Sequence, residues 1–470
     1  MNIKSLISNA ATAFLAQGVA MALSVLQGLL VPKILGVEQY GYWQLFIFYQ
    51  SYVGFFHLGL CDGLYLLRGG QRRSEIDKRS VNSQFVFGIF FQSLFALVIV
   101  AFALFGPQGP ERSFVIFWTG VFLVIQNAAT YLGYVFQAMN ETKTFSYSSI
   151  VERLCFLVPL LFLLLTRTRS FEPYVLSYVF SSCCQLIYCL WHARDFLASG
   201  FEGWGKSAKD SAKSIQVGYK LLLSNIASML ILGVARAAID QVWGIATFGK
   251  LSFALSMVNF FSAFVSQAAM VLFPALRQSS EREVAKFYGA ARDAMVLLFP
   301  FAYVLYFPAI WLLGLWLPDY ASSFIYFALL LPICVFDSKM NITCTTLFKV
   351  RREEKTLLYV NVAICALSTA LTLLGALIIK SPLFIIGSVV VCLVVRSLWS
   401  EHHFNCELCV PAKGMSVAEL FVTAAYLVAV LCLPSTVAFF VYAVIYLIYI
   451  LVYRRQLKGL LSSVKRAVGK

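Results

Sequence analysis

Charge is what this chain has least of. Lys, Arg, Asp and Glu together supply 13% of its 470 residues, while 60% are hydrophobic. A soluble domain could not hide that much apolar surface. A long polar stretch is also missing. The longest, about Arg194 to Lys220, is too short to bury a core of its own, so no soluble domain is expected. No Gly-x-Ser-x-Gly motif is present and no paired acids stand at a mouth, which disfavours glycosyl chemistry. Gly200–Ser207 has the bare Walker A spacing but follows an apolar span rather than a strand pattern, so ATP hydrolysis is disfavoured too. Of the twelve cysteines, ten are scattered through apolar runs, and no disulfide framework is outlined. Acidic residues number 22 against 37 basic ones, for a net charge of +15. Such an excess could suggest nucleic acid, but no reading module is present.

Long apolar runs are abundant, and mean hydropathy is +0.80. Leu6–Leu30, Trp43–Leu67, Phe85–Phe105 and Phe114–Met139 each exceed the roughly 20 helical residues that cross a bilayer. The runs are continuous rather than alternating, so helices are expected, not a barrel. The first run has no small-residue cleavage site after it and reads as a retained span. About 14 spans are expected: 6–31, 42–67, 83–105, 113–139, 147–166, 173–193, 217–240, 247–275, 291–317, 321–348, 356–379, 382–401, 415–433 and 436–453. With both termini inside, most Lys and Arg residues fall on inside segments. These basic segments, such as Arg68/Arg72/Arg73/Lys78/Arg79 and Lys349/Arg351/Arg352/Lys355, suit an anionic inner leaflet. Two inside segments look amphipathic. Phe196, Leu197, Phe201 and Trp204 would lie on the bilayer with Lys206, Lys209 and Lys213 towards water. In the tail, Leu457, Leu460, Leu461, Val464 and Val468 share a face.

A weak internal echo organises the spans. Phe136–Tyr147 aligns with Phe348–Tyr359, with Phe, Glu, Lys, Thr and Tyr in register. Ser8-Asn9 is answered by Ser224-Asn225. Gly36 and Tyr40-Gly41 are answered by Gly244 and Phe248-Gly249. The expected architecture is an all-α polytopic membrane protein of two six-helix lobes and an extra C-terminal helix pair. An even number of spans per repeat relates the lobes by a pseudo-two-fold along the membrane normal, a common build of secondary transporters. The divisions expected are a first lobe at 1–197, an amphipathic linker at 198–216, a second lobe at 217–409, the added pair at 410–453 and a basic tail at 454–470.

Local motifs carry a family resemblance. Leu35-Gly36-Val37-Glu38-Gln39-Tyr40-Gly41-Tyr42-Trp43 resembles the element after the first span of polysaccharide and O-antigen flippases. Leu58-Gly59-Leu60-Cys61-Asp62-Gly63 resembles the end of their second span. Phe248-Gly249, Leu251-Ser252-Phe253-Ala254 and Phe273-Pro274-Ala275-Leu276 resemble parts of their eighth. The resemblance implies the multidrug/oligosaccharidyl-lipid/polysaccharide exporter superfamily, with two lobes around a central cavity. The activity it implies is transfer of undecaprenyl-diphosphate-linked glycan to the outer leaflet of a bacterial cytoplasmic membrane, with no enzyme chemistry and no cofactor. Its implied partners are that glycan, anionic lipids, and a polysaccharide polymerase with chain-length machinery. The added helix pair is similar to the lipid-II flippase branch, although the first span here carries no Arg.

Moving a diphosphate through hydrocarbon requires buried cations and hydrogen-bonding groups. Arg236 and Lys339 are the basic residues placed within spans, with Asp62, Asp240 and Asp337 as acids. Arg236 and Asp240 are one turn apart, so they pair or Arg236 meets the diphosphate with its two-pronged donor. Asp337 and Lys339 lie two apart and point in nearly opposite directions, so at most one faces a cavity and the other needs a partner. Lys339 is favoured as the cavity residue, with a structural pair to Asp62 as the alternative. Asp62 suits gating of the inner mouth. Asn9 and Asn225 offer either helix-to-helix hydrogen bonds or contacts to sugar. His57 reads as a buried neutral histidine, and Trp43, Trp118 and Trp311 as an interface belt. The cluster His402-His403-Phe404-Asn405-Cys406-Glu407-Leu408-Cys409 has metal-like spacing but sits where a span exits, and no metal is expected there. The membrane potential could bias export of an anionic headgroup without a dedicated ion site. A cation-coupled drug exporter of the same fold, or a membrane polymerase or ligase, are the competing readings; short outside loops disfavour the latter.

Overall fold

The computed structural model describes residues 23–277, 281–411 and 414–457, and the described residues form helices and connecting turns without a strand. Eleven described stretches are long and apolar enough to cross a membrane. The difference from fourteen has three local causes. The first expected span, 6–31, lies mostly outside the described residues. The second is interrupted by a 3-10 turn at Val53–His57. The seventh and eighth run on as one helix. The chain is a multi-pass all-α membrane protein. It divides into two compact units, Met1–Ile226 and Ala227–Lys470.

The first unit contains α1 (Val31–Gln50), α2 (Leu60–Arg68), α3 (Lys78–Phe105), α4 (Pro110–Ala138), α5 (Thr142–Leu165), α6 (Glu172–His192), the short α7 (Arg194–Leu197) and the start of α8 (Trp204–Arg277). Its core joins Leu60, Leu64, Val81, Phe85, Leu132, Val135, Phe136 and Phe196. Trp43 is fully buried among Phe156, Tyr174 and Tyr178, with ring centroids 6.0–6.2 Å away. It is therefore a core residue, not part of an interface belt, whereas Trp311 is 66% exposed. Phe196 is likewise buried, with the Arg73 guanidinium 5.3 Å from its ring. Of the four residues expected to lie on the bilayer, Phe196 is thus inside the protein, while Leu197 and Phe201 are half-buried and Trp204 is exposed. What α8 buries at its start is small: Ser207, Ser211, Ser214 and Gly218, with Lys206, Lys209 and Lys213 exposed. That stripe lets α2 and α8 touch backbone to backbone. A methyl group on Gly63 would lie 1.8 Å from the Ser214 carbonyl oxygen, and one on Gly218 would lie 2.1 Å from that of Gly59.

Basic residues expected at the lipid surface are partly paired within the protein. Arg73 meets Glu141 at 3.1 Å and Asp195 at 2.9 Å, and Lys78 meets Asp195 at 2.8 Å. The three loops after α2, α4 and α6 are tied by one guanidinium.

The second unit continues α8 and adds α9 (Glu281–Leu298), α10 (Phe301–Trp316), α11 (Phe324–Lys339), α12 (Thr346–Val350), α13 (Glu354–Leu374), α14 (Pro382–Glu407), α15 (Met415–Cys432) and α16 (Ser435–Val452). A π-turn at Met340–Thr345 joins α11 to α12. Pro300 has no N–H, so the Val296 carbonyl loses its helical donor where α9 ends. Tyrosines at one face of α16 answer that break. Tyr449 Oη donates to Val296 O at 2.9 Å, Tyr446 to Leu297 O at 3.1 Å and Tyr442 to Pro300 O at 3.1 Å. The C-terminal pair is therefore built into this unit. Most of the basic tail, from Lys458 on, lies outside the described residues, as do Leu460, Leu461, Val464 and Val468.

The echo reappears in backbone geometry. Gly36 has φ 71°, ψ 177° and Gly244 has φ 78°, ψ 176°, each breaking an otherwise continuous helix. Asn140 and Arg352 both take the left-handed conformation, at φ 59° and 57°. Glu141 N donates to Phe136 O and Glu353 N to Phe348 O, each at 2.8 Å. This is the six-to-one bond of a Schellman cap. Arg167 and Lys380 form a third left-handed pair, at φ 51° and 53°.

Candidate functional site: buried charges of the second unit

Lys339 ends α11 and is 1% exposed. Its ammonium lies 2.8 Å from Glu401 Oε2 on α14 and pairs with Glu419 Oε2 on α15. The Phe336 ring centroid is 5.1 Å from Nζ. Glu401 and Glu419 are 3% and 0% exposed. Ser416 Oγ donates to Glu401 Oε1 at 2.5 Å. The partners of Lys339 are therefore Glu401 and Glu419, and Asp62 is not among them.

Asp337 points the other way, as two-residue spacing requires. Its Oδ1 lies 3.4 Å from Arg396 Nη1, and its Oδ2 accepts from Asn341 at 3.1 Å. A second guanidinium, Arg292, is 2% exposed; it donates to Asn405 Oδ1 at 2.6 Å, to Pro411 O at 3.0 Å and to Asp293 at 2.7 Å. Arg292, Arg396, Glu401 and Glu419 escaped the sequence reading, which took Arg236 and Lys339 as the intramembrane cations. Glu419 had a visible signal, being a lone acid inside an apolar run.

Arg236 stands on α8 before the Gly244 break and reaches across it. Nη2 donates to Ser252 Oγ at 3.0 Å, and the guanidinium lies 5.1 Å from the Phe248 centroid. Asp240, one turn on, is 3% exposed. Asn225 is exposed on the same helix, while its expected counterpart Asn9 lies outside the described residues. In the first unit, Asp62 is buried in the first turn of α2, at the glycine seam with α8. His57 Nδ1 accepts from Gly59 N at 3.1 Å, which fits a neutral ring.

The His402–Cys409 cluster rearranges the expected ligands. His403 Nε2 lies 2.8 Å from Glu353 and 3.6 Å from Glu407, and the ligand atoms of all three fall within 4.8 Å of one another. Arg351 holds the other Glu407 oxygen and meets Glu281 at 2.5 Å, so the arrangement works as an ion-pair network closing the loops.

Residues 6–280 match a family model described as polysaccharide biosynthesis protein. Among solved structures, the lipid II flippase MurJ in an inward closed conformation aligns with a TM-score of 0.59 at 13% identity, covering 96% of this chain and 100% of that one. An inward-facing multidrug resistance MATE family transporter of the MOP superfamily aligns at 0.56 and 12% identity, over 85% and 100%. A MATE transporter of Vibrio cholerae aligns at 0.50 and 14%, over 86% and 97%. At such identities the likeness is one of fold. No curated protein sequence matches significantly. The family model spans more than half of the chain, which belongs to the polysaccharide biosynthesis protein family.

Proposed function

We propose that this protein moves undecaprenyl-diphosphate-linked oligosaccharide units from the inner to the outer leaflet of a bacterial cytoplasmic membrane, for surface polysaccharide of the O-antigen type. The observation that supports this furthest is the family match over residues 6–280. The fold shared with a lipid II flippase agrees with it. The work is translocation rather than catalysis, because the barrier is desolvation of a diphosphate and its sugars. A cation that offers two parallel N–H donors lowers that barrier. Arg236 takes this role. Lys339 is a second cation, available to substrate once its two carboxylates release it. Asn9 and Asn225 offer amides to sugar hydroxyls, while Asp62, Asp240 and Asp337 tune or gate. Both termini face the cytoplasm, and a polymerase with chain-length machinery receives the product outside.

An anionic headgroup moving outwards descends an inside-negative potential, gaining about 2.3 kcal/mol per net charge per 100 mV. The test uses proteoliposomes carrying fluorescent lipid-linked oligosaccharide. Wild-type protein moves the headgroup, faster at inside-negative potential than at zero. Arg236→Ala slows it by about ten- to a hundredfold, the range for a hydrogen bond to a charged group. Export of cationic dyes without movement of the lipid-linked sugar would overturn the reading in favour of a drug exporter.

A further inference from the structure

We infer that Lys339, Glu401 and Glu419 form a proton-binding site, with the proton resident on Oε1 of Glu419. The argument starts from counting. Two buried carboxylates share one ammonium, which leaves one negative charge without a counter-charge. The neighbours do not supply it. Arg292 on α9 faces Glu401 but is paired with Asp293, and Arg396 on α14 is paired with Asp337. Three cations thus stand against four carboxylates. The other titratable groups facing the site are Tyr288 on α9, Tyr303 on α10, Cys344 in the π-turn and Tyr449 on α16, all neutral in their ordinary form. A lone negative charge in a protein interior is expelled unless something neutralises it.

Hydrogen bonding says where the proton sits. Glu401 accepts from Ser416 on Oε1, and its Oε2 lies 2.8 Å from the Lys339 ammonium as an ion pair, outside hydrogen-bond geometry. Glu419 has Oε2 on Lys339 and Oε1 buried with no partner. A bare anionic oxygen is the least tolerable arrangement there, and protonating it removes the charge. A metal cation does not fit, because the ammonium already occupies the point between the carboxylates. The site stands whether or not the flippase reading does; only its coupling to transport rests on that reading. Such a site would add to the membrane potential that the sparse charge suggested as sufficient.

Infrared difference spectroscopy of the full-length protein in nanodiscs, in light and heavy water, tests this without substrate. The expected result is a protonated carboxylic-acid carbonyl band at neutral pH that shifts in heavy water, disappears on alkalinisation and is lost in Glu419→Gln. If that variant does not fold, Lys339→Met provides the second reading: removing the ammonium leaves both carboxylates in need of a proton, and the band doubles. A wild-type spectrum without a protonated acid, a band unchanged in Glu419→Gln, or a band unchanged in Lys339→Met would overturn the inference. So would a response to sodium at fixed pH with no acid band.

Discussion

At the scale of single residues, spacing carried more information than identity. The two-residue separation of Asp337 and Lys339 required opposite directions and separate partners, and the structure supplies Arg396 for one and a pair of glutamates for the other. Which carboxylates would meet Lys339 was not legible, because Glu401 and Glu419 lie 62 and 80 residues further on and nothing local points back from them. Asp195 offers a pH test outside the membrane. Burial raises its pKa, but the hydrogen bonds and charges of Arg73 and Lys78 outweigh this and hold it below the ordinary carboxylate range. A native pKa below the unfolded one means that the tie contributes fully above the unfolded value, about 3.9, and is lost as pH falls through the native value. Amide exchange at residues 194–197 should therefore accelerate on acidification below about pH 4. Asp195→Asn should exchange faster at neutral pH and lack that acid dependence. Identical profiles for the two proteins would refute the role of the tie.

At the scale of elements, the glycine echo was readable but its meaning was not. Gly36 and Gly244 recur in the aligned sequence, yet only the backbone shows that both adopt a conformation essentially reserved for glycine. A methyl group at either position meets nothing within 4 Å, so crowding plays no part. Gly36→Ala and Gly244→Ala should each destabilise by about 1–3 kcal/mol through strain alone. Thermal unfolding followed by fluorescence reads this, and a neutral result at both would contradict it. The tyrosine face of α16 makes a complementary prediction. Tyr449→Phe keeps the packing but strips the Val296 carbonyl of its donor, which should cost about 1–3 kcal/mol. Denaturation of the reconstituted protein measures it. The aromatic count gave no hint of this ladder, since a tyrosine on an apolar helix looks alike whether it faces lipid or a proline break.

At the scale of the whole molecule, the class was evident from the shortage of charge and the apolar runs. From the third expected span on, helices occupy the apolar runs, apart from α8, where two expected spans follow one another through Gly244; the second, 42–67, is divided among α1, the 3-10 turn and α2. Around the linker, hydropathy draws the eye to Phe196 and Trp204, of which the first is buried and the second exposed. The face that is buried consists of Ser207, Ser211, Ser214 and Gly218, which hydropathy scores as unremarkable. Orientation remains a prediction of the Lys and Arg bias. Cysteine labelling with a membrane-impermeant reagent on right-side-out vesicles should leave a cysteine at Lys209 unmodified and modify one at Arg169. The reverse pattern would invert the topology.

The hydroxyls of Tyr442, Tyr446 and Tyr449 complete a helix break that leaves the ribosome about 150 residues earlier, and Lys339 meets Glu419 only 80 residues after its own synthesis. At ordinary elongation rates that is a wait of roughly 8–30 s for the Val296 carbonyl. During it, a peptide group stands bare in the bilayer or is shielded by the insertion machinery. Maturation of the second half is therefore timed by translation of its last helix, and a ribosome stalled before Tyr449 would strand a half-finished domain in the translocon.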